Sequence, residues 1–233
     1  MKHRDLFFKA SSKVPGWTRG EEAHALFETA YDLPDRATVV EIGSFLGCGS
    51  ILLGGARKMK GSGEAHCVDR FDGSGDAFST PHYHAIWLAL GARPFREIFD
   101  ENIADAGLSD WISVHDGDAE LIGRRWSKPI DMLFLDGDQS PEGVRAVYDA
   151  WSPWLKNGAV IALHNSAPRE YEQHHDGHYI LARKEIRAPS YEDIRLVGST
   201  TFARKAVQKA AQKVAAPKRP RADRRRRSGH RKS

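Results

Sequence analysis

The chain has 233 residues, 40% hydrophobic and 28% charged, enough for one domain with a self-sufficient core and without an apolar run near the roughly 18 residues of a membrane span. Its net charge of +4 is unevenly placed: residues 204–233 hold 13 Lys and Arg against the single acid Asp223, and residues 1–203 hold 22 bases against 30 acids. The basic balance belongs to the tail, and the mildly acidic body argues against a nucleic-acid-binding face on it.

The opening MKHRDLFFKASSKVPGW lacks the apolar core and small-residue cleavage site of a secretory signal. Cys48 and Cys67 each sit inside an apolar element and read as buried free thiols of a reducing cytoplasm. Residues 21–32 place Ala23, Leu26, Phe27 and Ala30 on one helical stripe. ATVVEIG (37–43) reads as a strand, SILLGGARKM as a helix, and EAHCVDRFD (64–72) as a second strand stopping at Asp69. Gly, Ser and Asp make 71–84 a long loop, followed by a helical region to about Ala106, broken near Gly91–Pro94.

WISVHDGD (111–118) and IDMLFLDGD (130–138) are a third and fourth strand. Pro141 opens a helix whose Val144, Val147, Tyr148 and Trp151 face the core. AVIALHN (159–165) is a fifth strand. Beyond a His-rich loop at 166–178, HYILARKEI and IRLVGSTTFARK read as two further strands, a candidate hairpin. The five continuous apolar strands alternating with helices predict an α/β, doubly wound parallel sheet covered on both faces. In such sheets ligands bind outside the carboxyl ends of the strands. Those ends carry Glu41 and Gly43, Asp69, Asp116 and Asp118, Asp136 and Asp138, and His164 and Asn165.

In EIGSFLGCGS (41–50), Gly43, Gly47 and Gly49 between strand and helix allow a ligand close to the backbone. The spacing is not G-x-G-x-x-G. Asp69, 20 residues past Gly49, suits two hydrogen bonds to a ribose diol.

EIGSFLGCGS, CVDRFD, LFLDGDQSPEGVRAVYDAW and LKNGAVIALHNS together resemble the class I S-adenosylmethionine-dependent methyltransferases. They are most similar to small O-methyltransferases with L-F-I-D-G-D-H-S-Y-E-G-V followed by L-x-P-G-G-x-x-x-x-H-D. The resemblance covers roughly residues 15–165 and is most specific over Asp131–Asn165. It implies a Rossmann-like seven-stranded sheet with a C-terminal antiparallel hairpin. It also implies S-adenosylmethionine as cofactor: Glu41, Gly43, Ser44 and Gly47 at its methionine end, Asp69 on the ribose, Asp118-Ala119 against the adenine and Asp136 beside the sulfonium. Relatives of the catechol O-methyltransferase kind hold a divalent cation such as Mg²⁺, here on Asp136, His164 and Asn165, where it would acidify and orient a substrate hydroxyl.

Two positions depart from the pattern: the His of D-G-D-H-S is Gln139, and the closing Asp is Asn165. Neutral Gln takes no proton. A replacement base is sought among His174, His175 and His178, with His175 the candidate beside Asp136 and His164; a surface loop and an H-H-x-x-H transition-metal site stay open. His82 and His84 pose the same choice. Trp151 and Trp154 read as core, and Trp17 as packing or as a cover for the pocket.

The expectation is an N-terminal extension (1–14), a methyltransferase domain (15–203) and a disordered basic tail (204–233). The expected reaction is O-methylation of a small-molecule acceptor, a sugar or natural-product hydroxyl. A rival is a catalytically impaired cofactor-binding protein whose tail contacts nucleic acid or an anionic surface by counterion release. A nicotinamide-dependent oxidoreductase is disfavoured by the glycine spacing and the hairpin. A homodimer stays open.

Overall fold

The computed structural model describes residues 2–207; the expected tail from residue 208 onward lies outside the described residues. The elements run α1 (Lys2–Lys13), α2 (Gly20–Asp32), β1 (Thr38–Ile42), α3 (Cys48–Lys60), β2 (Glu64–Asp69), α4 (Ser79–Ala89), α5 (Phe95–Asp105) and β3 (Ile112–Asp116). They continue α6 (Ala119–Arg125), β4 (Ile130–Leu135), α7 (Pro141–Trp151), β5 (Leu155–Leu163), α8 (Gly177–Lys184), β6 (Tyr191–Val197) and β7 (Thr200–Lys205). No helix among the described residues is long and apolar enough to cross a membrane.

One seven-stranded sheet has the order β3-β2-β1-β4-β5-β7-β6. β1 to β5 are parallel, and β7 lies antiparallel to both β5 and β6. This is the Rossmann-like seven-stranded sheet with a C-terminal antiparallel hairpin that the sequence led us to expect.

Alternating side chains explain the apolar runs. Val39 of β1 and Met132 and Phe134 of β4 join the core under α1, α2, α3 and α5. Val40, Ile42, Leu133 and Leu135 join the opposite core with Trp126 and Trp151. A strand buried on both faces has no polar face to show.

The expected strand HYILARKEI is instead helix α8. Two of its buried residues, His178 and Leu181, stand three apart, the spacing of a helical face rather than of a strand. The hairpin lies wholly within Tyr191–Lys205, turning at Gly198-Ser199. The expected loop 71–84 ends earlier because α4 starts at Ser79, where Asp76 Oδ1 accepts the amides of Phe78 and Ser79, both at 3.0 Å. β5 begins at Leu155, and Lys156 reaches back to Asp131 at 2.7 Å.

Residues 1–14, expected as an extension, contribute α1, and Phe7 and Val14 enter the core. β7 runs two residues past the expected end of the domain at 203. α6 was not anticipated; the Asp118 side chain caps it by accepting the Leu121 amide at 2.9 Å.

Backbone bonds tie the strand ends into one rim. Gly117 N donates to Asp69 O (2.9 Å), Gly43 N to Val68 O (2.9 Å), Asp136 N to Ile42 O (2.8 Å) and His164 N to Leu135 O (3.0 Å). Strand order reverses between β1 and β4, which opens a crevice there. At that crossing Gly43 has φ +88°, and a Cβ on it would stand 2.5 Å from the Asp136 carbonyl and from Gly137 Cα. Both neighbours are backbone and cannot swing away. Gly43→Ala is therefore expected to cost about 2–4 kcal/mol through left-handed strain and overpacking, read as a lower urea midpoint. An unchanged midpoint would mean that the two strand ends can part at no cost.

Candidate active site

A cavity of about 860 Å³ opens over this rim, a size that suits more than one small ligand. The turns after β1, β2, β3, β4 and β5 all reach it. Its sides are closed by Trp17 and Thr18 ahead of α2, by Phe78 and Tyr83 at α4, and by the loop from Arg169 to His175. Glu41, Gly43, Ser44, Asp69, Asp118, Ala119, Asp136, His164, Asn165 and His175 all line it. Gly47, expected there as a cofactor residue, does not. It turns the chain into α3 with φ +95°, its amide bonded to Ser44 O at 2.8 Å and its own flank against Phe99 and Ile103.

The loop histidines separate. His175 is buried and lines the cavity, His178 is buried behind it, and His174 is exposed. His82 reaches the rim and His84 does not. Among the described residues no group of three or more His, Cys, Asp and Glu is placed to hold a metal ion, so the H-H-x-x-H reading finds no assembled site.

The floor is a concentration of carboxyl groups. Glu41 is 2% exposed, and burial pushes its carboxyl up to about 7 although the Ser50 hydroxyl donates to it. Asp136 is raised well above the carboxylate range by burial, and by Glu41 and Glu22 nearby. Asp69 is raised by burial, while Oδ2 accepts from Phe45 N and Oδ1 from Phe71 N, both at 2.8 Å. Among the described residues no Lys or Arg pairs with Glu41, Asp69 or Asp136. The Ser44 hydroxyl, also buried on this wall, has no partner among the described residues.

A positively charged nucleoside fits these donors and acceptors. Its charge would offset the Glu41–Asp136 repulsion, each Asp69 oxygen has a lone pair left for a diol, and Gly43 leaves room against the backbone. Asp118, besides capping α6, pairs with Arg70 at the outer edge.

The expected cation trio fits less well. His164 Nε2 stands 3.9 Å from Asp136 Oδ1, and burial lowers the imidazole to about 4. Neutral imidazole is the ligating form. Asn165 Oδ1, however, accepts from the Arg169 guanidinium at 2.7 Å. A fixed positive charge holds the third ligand's oxygen, so we derive no step through a cation.

Two lining residues, Glu22 and Arg169, escaped the sequence reading, as did Asp76, which bonds to the lining residues Ser79 and His175. Glu22 on α2 is buried and its carboxylate accepts the Ser199 amide. Arg169 and Asp76 come from loops whose course sequence does not fix.

A family model described as a methyltransferase domain matches residues 40–166, more than half of the chain. Solved structures with the same fold include cofactor-bound Rv0187 from MTB, 18% identical, covering 88% of this chain and 90% of that one with a TM-score of 0.61. Another is the Bacillus cereus O-methyltransferase in complex with SAH, 16% identical over 88% and 91%, TM-score 0.57. A third is the O-methyltransferase TomG from Streptomyces achromogenes, in complex with SAM, 18% identical over 89% and 91%, TM-score 0.55. At these identities they show the fold alone.

The raised Glu41 carboxyl gives a signed expectation. Its unfolded value is 4.5 and its folded value about 7, so the folded protein is burdened by this charge above pH 7 and relieved as pH falls toward 4.5. Without ligand, Glu41→Gln should be more stable than wild type by roughly 2–3 kcal/mol at pH 8, and by under about 1 kcal/mol at pH 5. Urea denaturation at the two pH values reads the difference; an equal gain at both would show that Glu41 is not held protonated by burial.

Proposed function

The chain belongs to the methyltransferase-domain family, and on that premise we propose that it binds S-adenosylmethionine in the β1/β4 crevice and methylates a hydroxyl oxygen of a small-molecule acceptor. The observation that carries this reading is the buried, uncompensated set of Glu41, Asp69 and Asp136 at the switch point of the sheet. Such a set asks for a ligand that brings its own positive charge. The O-methyltransferases among the solved structures of the same fold support oxygen as the acceptor atom.

When bound, the cofactor supplies an electrophilic methyl group. Asp69 holds the ribose hydroxyls, already braced by the Phe45 and Phe71 amides. Glu41, Gly43 and the unpartnered Ser44 hydroxyl receive the methionine end. Asp118 and Ala119 border the adenine, and Gly47 acts only through the turn it makes. Asp136 faces the sulfonium as counter-charge, with Thr18 beside it on the cavity wall. His164, neutral and bonded through Nδ1 to Thr200 Oγ1 at 3.3 Å, backs Asp136. Trp17 and Phe78 cover the cavity mouth, where closure over ligands would exclude water.

Calorimetry on the full chain tests the cofactor. S-adenosylmethionine is expected to bind, and Asp69→Asn to weaken it roughly ten- to a hundredfold through lost charge-assisted hydrogen bonds. No heat, together with no thermal shift in the wild type, would overturn the reading.

A further inference from the structure

Asp76 joins three parts of the cavity wall that are far apart in sequence. Its carboxylate is 5% exposed. Oδ1 accepts the amides of Phe78 and Ser79 and lies 3.1 Å from His175 Nδ1. Oδ2 accepts from Ser79 Oγ at 2.8 Å and from the Gln139 amide at 3.4 Å. Burial opposes its charge, but the bonds from His175 and Ser79 outweigh that and hold the carboxyl well below its ordinary value.

An ionised carboxylate at Nδ1 has consequences for the ring. A carboxylate accepts only, so the imidazole must carry its proton on Nδ1, which leaves the Nε2 lone pair free. His175 lines the cavity, and the Phe78 ring packs beside it at 4.6 Å. Three titratable groups face His175: Asp76, His164 at the end of β5, and His178 at the start of α8. Burial keeps the two histidines neutral, lowering them to about 4 and about 3. Asp76 is the ionised one.

An independent sign points to a ligand here. Gln139 is 5% exposed and lines the cavity, its amide nitrogen on the backbone is tied to Asp76, and its side-chain Oε1 has no hydrogen-bond partner among the described residues. A buried acceptor left open beside an oriented imidazole describes a place that a donor-bearing molecule completes.

We propose that His175 is the proton acceptor of the acceptor subsite and that Asp76 is its positioning residue. The proposal rests on the methyl-transfer reading given above. The acceptor's O–H bond breaks and its proton moves to Nε2, while an oxygen electron pair forms the new O–C bond. The electrons of the S–C bond stay with sulfur. The resulting imidazolium is stabilised by Asp76 and returns its proton to solvent.

Long-range ¹H–¹⁵N NMR of the labelled full chain, without cofactor at pH 8, reads the ring directly. The expected wild-type signature for His175 is a protonated Nδ1 and a bare Nε2. In Asp76→Asn the signature should become a mixture of tautomers, whereas Asp76→Glu should restore it in part. Binding of S-adenosylmethionine should stay within threefold in both variants. Transfer of label from methyl-labelled S-adenosylmethionine into a small-molecule extract should fall at least about a hundredfold in His175→Gln.

An Nε2–H tautomer in the wild type overturns the proposal without any variant having to fold. So does a signature unmoved by Asp76→Asn, or undiminished transfer in His175→Gln. Loss of cofactor binding by the wild type would instead sink the methyl-transfer reading, because the tautomer is measured without cofactor.

Discussion

The site depends on a backbone contact. Where β1 and β4 separate, Gly43 lies against the Asp136–Gly137 peptide with no room for a side chain between them. Asp136 N bonds to Ile42 O across the same gap. That closeness brings the Glu41 carboxyl near enough to raise that of Asp136. It also leaves the crevice mouth bordered by main chain, which a ligand can approach more closely than it could a wall of side chains. The topology demands the separation, since β2 and β3 are laid on one side of β1 while β4 and β5 are laid on the other. A packed sheet thereby acquires an opening at the one place where no strand continues it.

The same geometry sets stability against binding. Burying carboxylates without basic partners costs free energy in the ligand-free fold, and protonation relieves it only in part at neutral pH. A cationic ligand relieves it fully, so the cost carried by the empty fold returns as binding free energy and as stabilisation by ligand. Cores on both faces of the sheet carry this cost. Trp151, Phe27, Phe99 and Phe134 are fully buried, and α1 adds Phe7 against α3, where it fills the space beside Gly55.

Much of the architecture was legible because it rests on local chemistry. Strands buried on both faces leave unbroken apolar runs, and each run here ended at a residue that reaches the cavity. The reading failed where local pattern is ambiguous. HYILARK offers both an alternation and a three-residue spacing, and only packing of Leu181 against the core under α7 decides for the helix. α1 was passed over because SSK and HRD dilute its apolar stripe, so its helical face emerges only against α3. Gly47 was assigned to the cofactor because spacing shows where a glycine is needed but not which way it faces. Asp76 was out of reach altogether: its partner His175 lies 99 residues away, and nothing in FDGSGDAFST sets one aspartate apart.

The two departures from the related motif bear on each other through Asp76. Gln139 stands where the motif that the sequence resembles has a histidine, so the turn after β4 offers no imidazole. Yet the Gln139 amide reaches the same carboxylate that holds His175. Under the proposed assignment, an imidazole lost from one segment is regained from another, anchored at a common point on the wall. The second departure points the same way. Asn165 is neutral where an acid would strengthen a cation site, and its oxygen is engaged by Arg169. A guanidinium there reduces the need for a metal's charge near Asp136, and a divalent ion entering beside it would meet repulsion rather than a ligand. With electrostatic activation by a metal weakened on one side of the cavity, proton removal becomes the step for which the protein must supply its own group. Of the histidines at the cavity, His175 is the one whose lone pair an ionised neighbour directs.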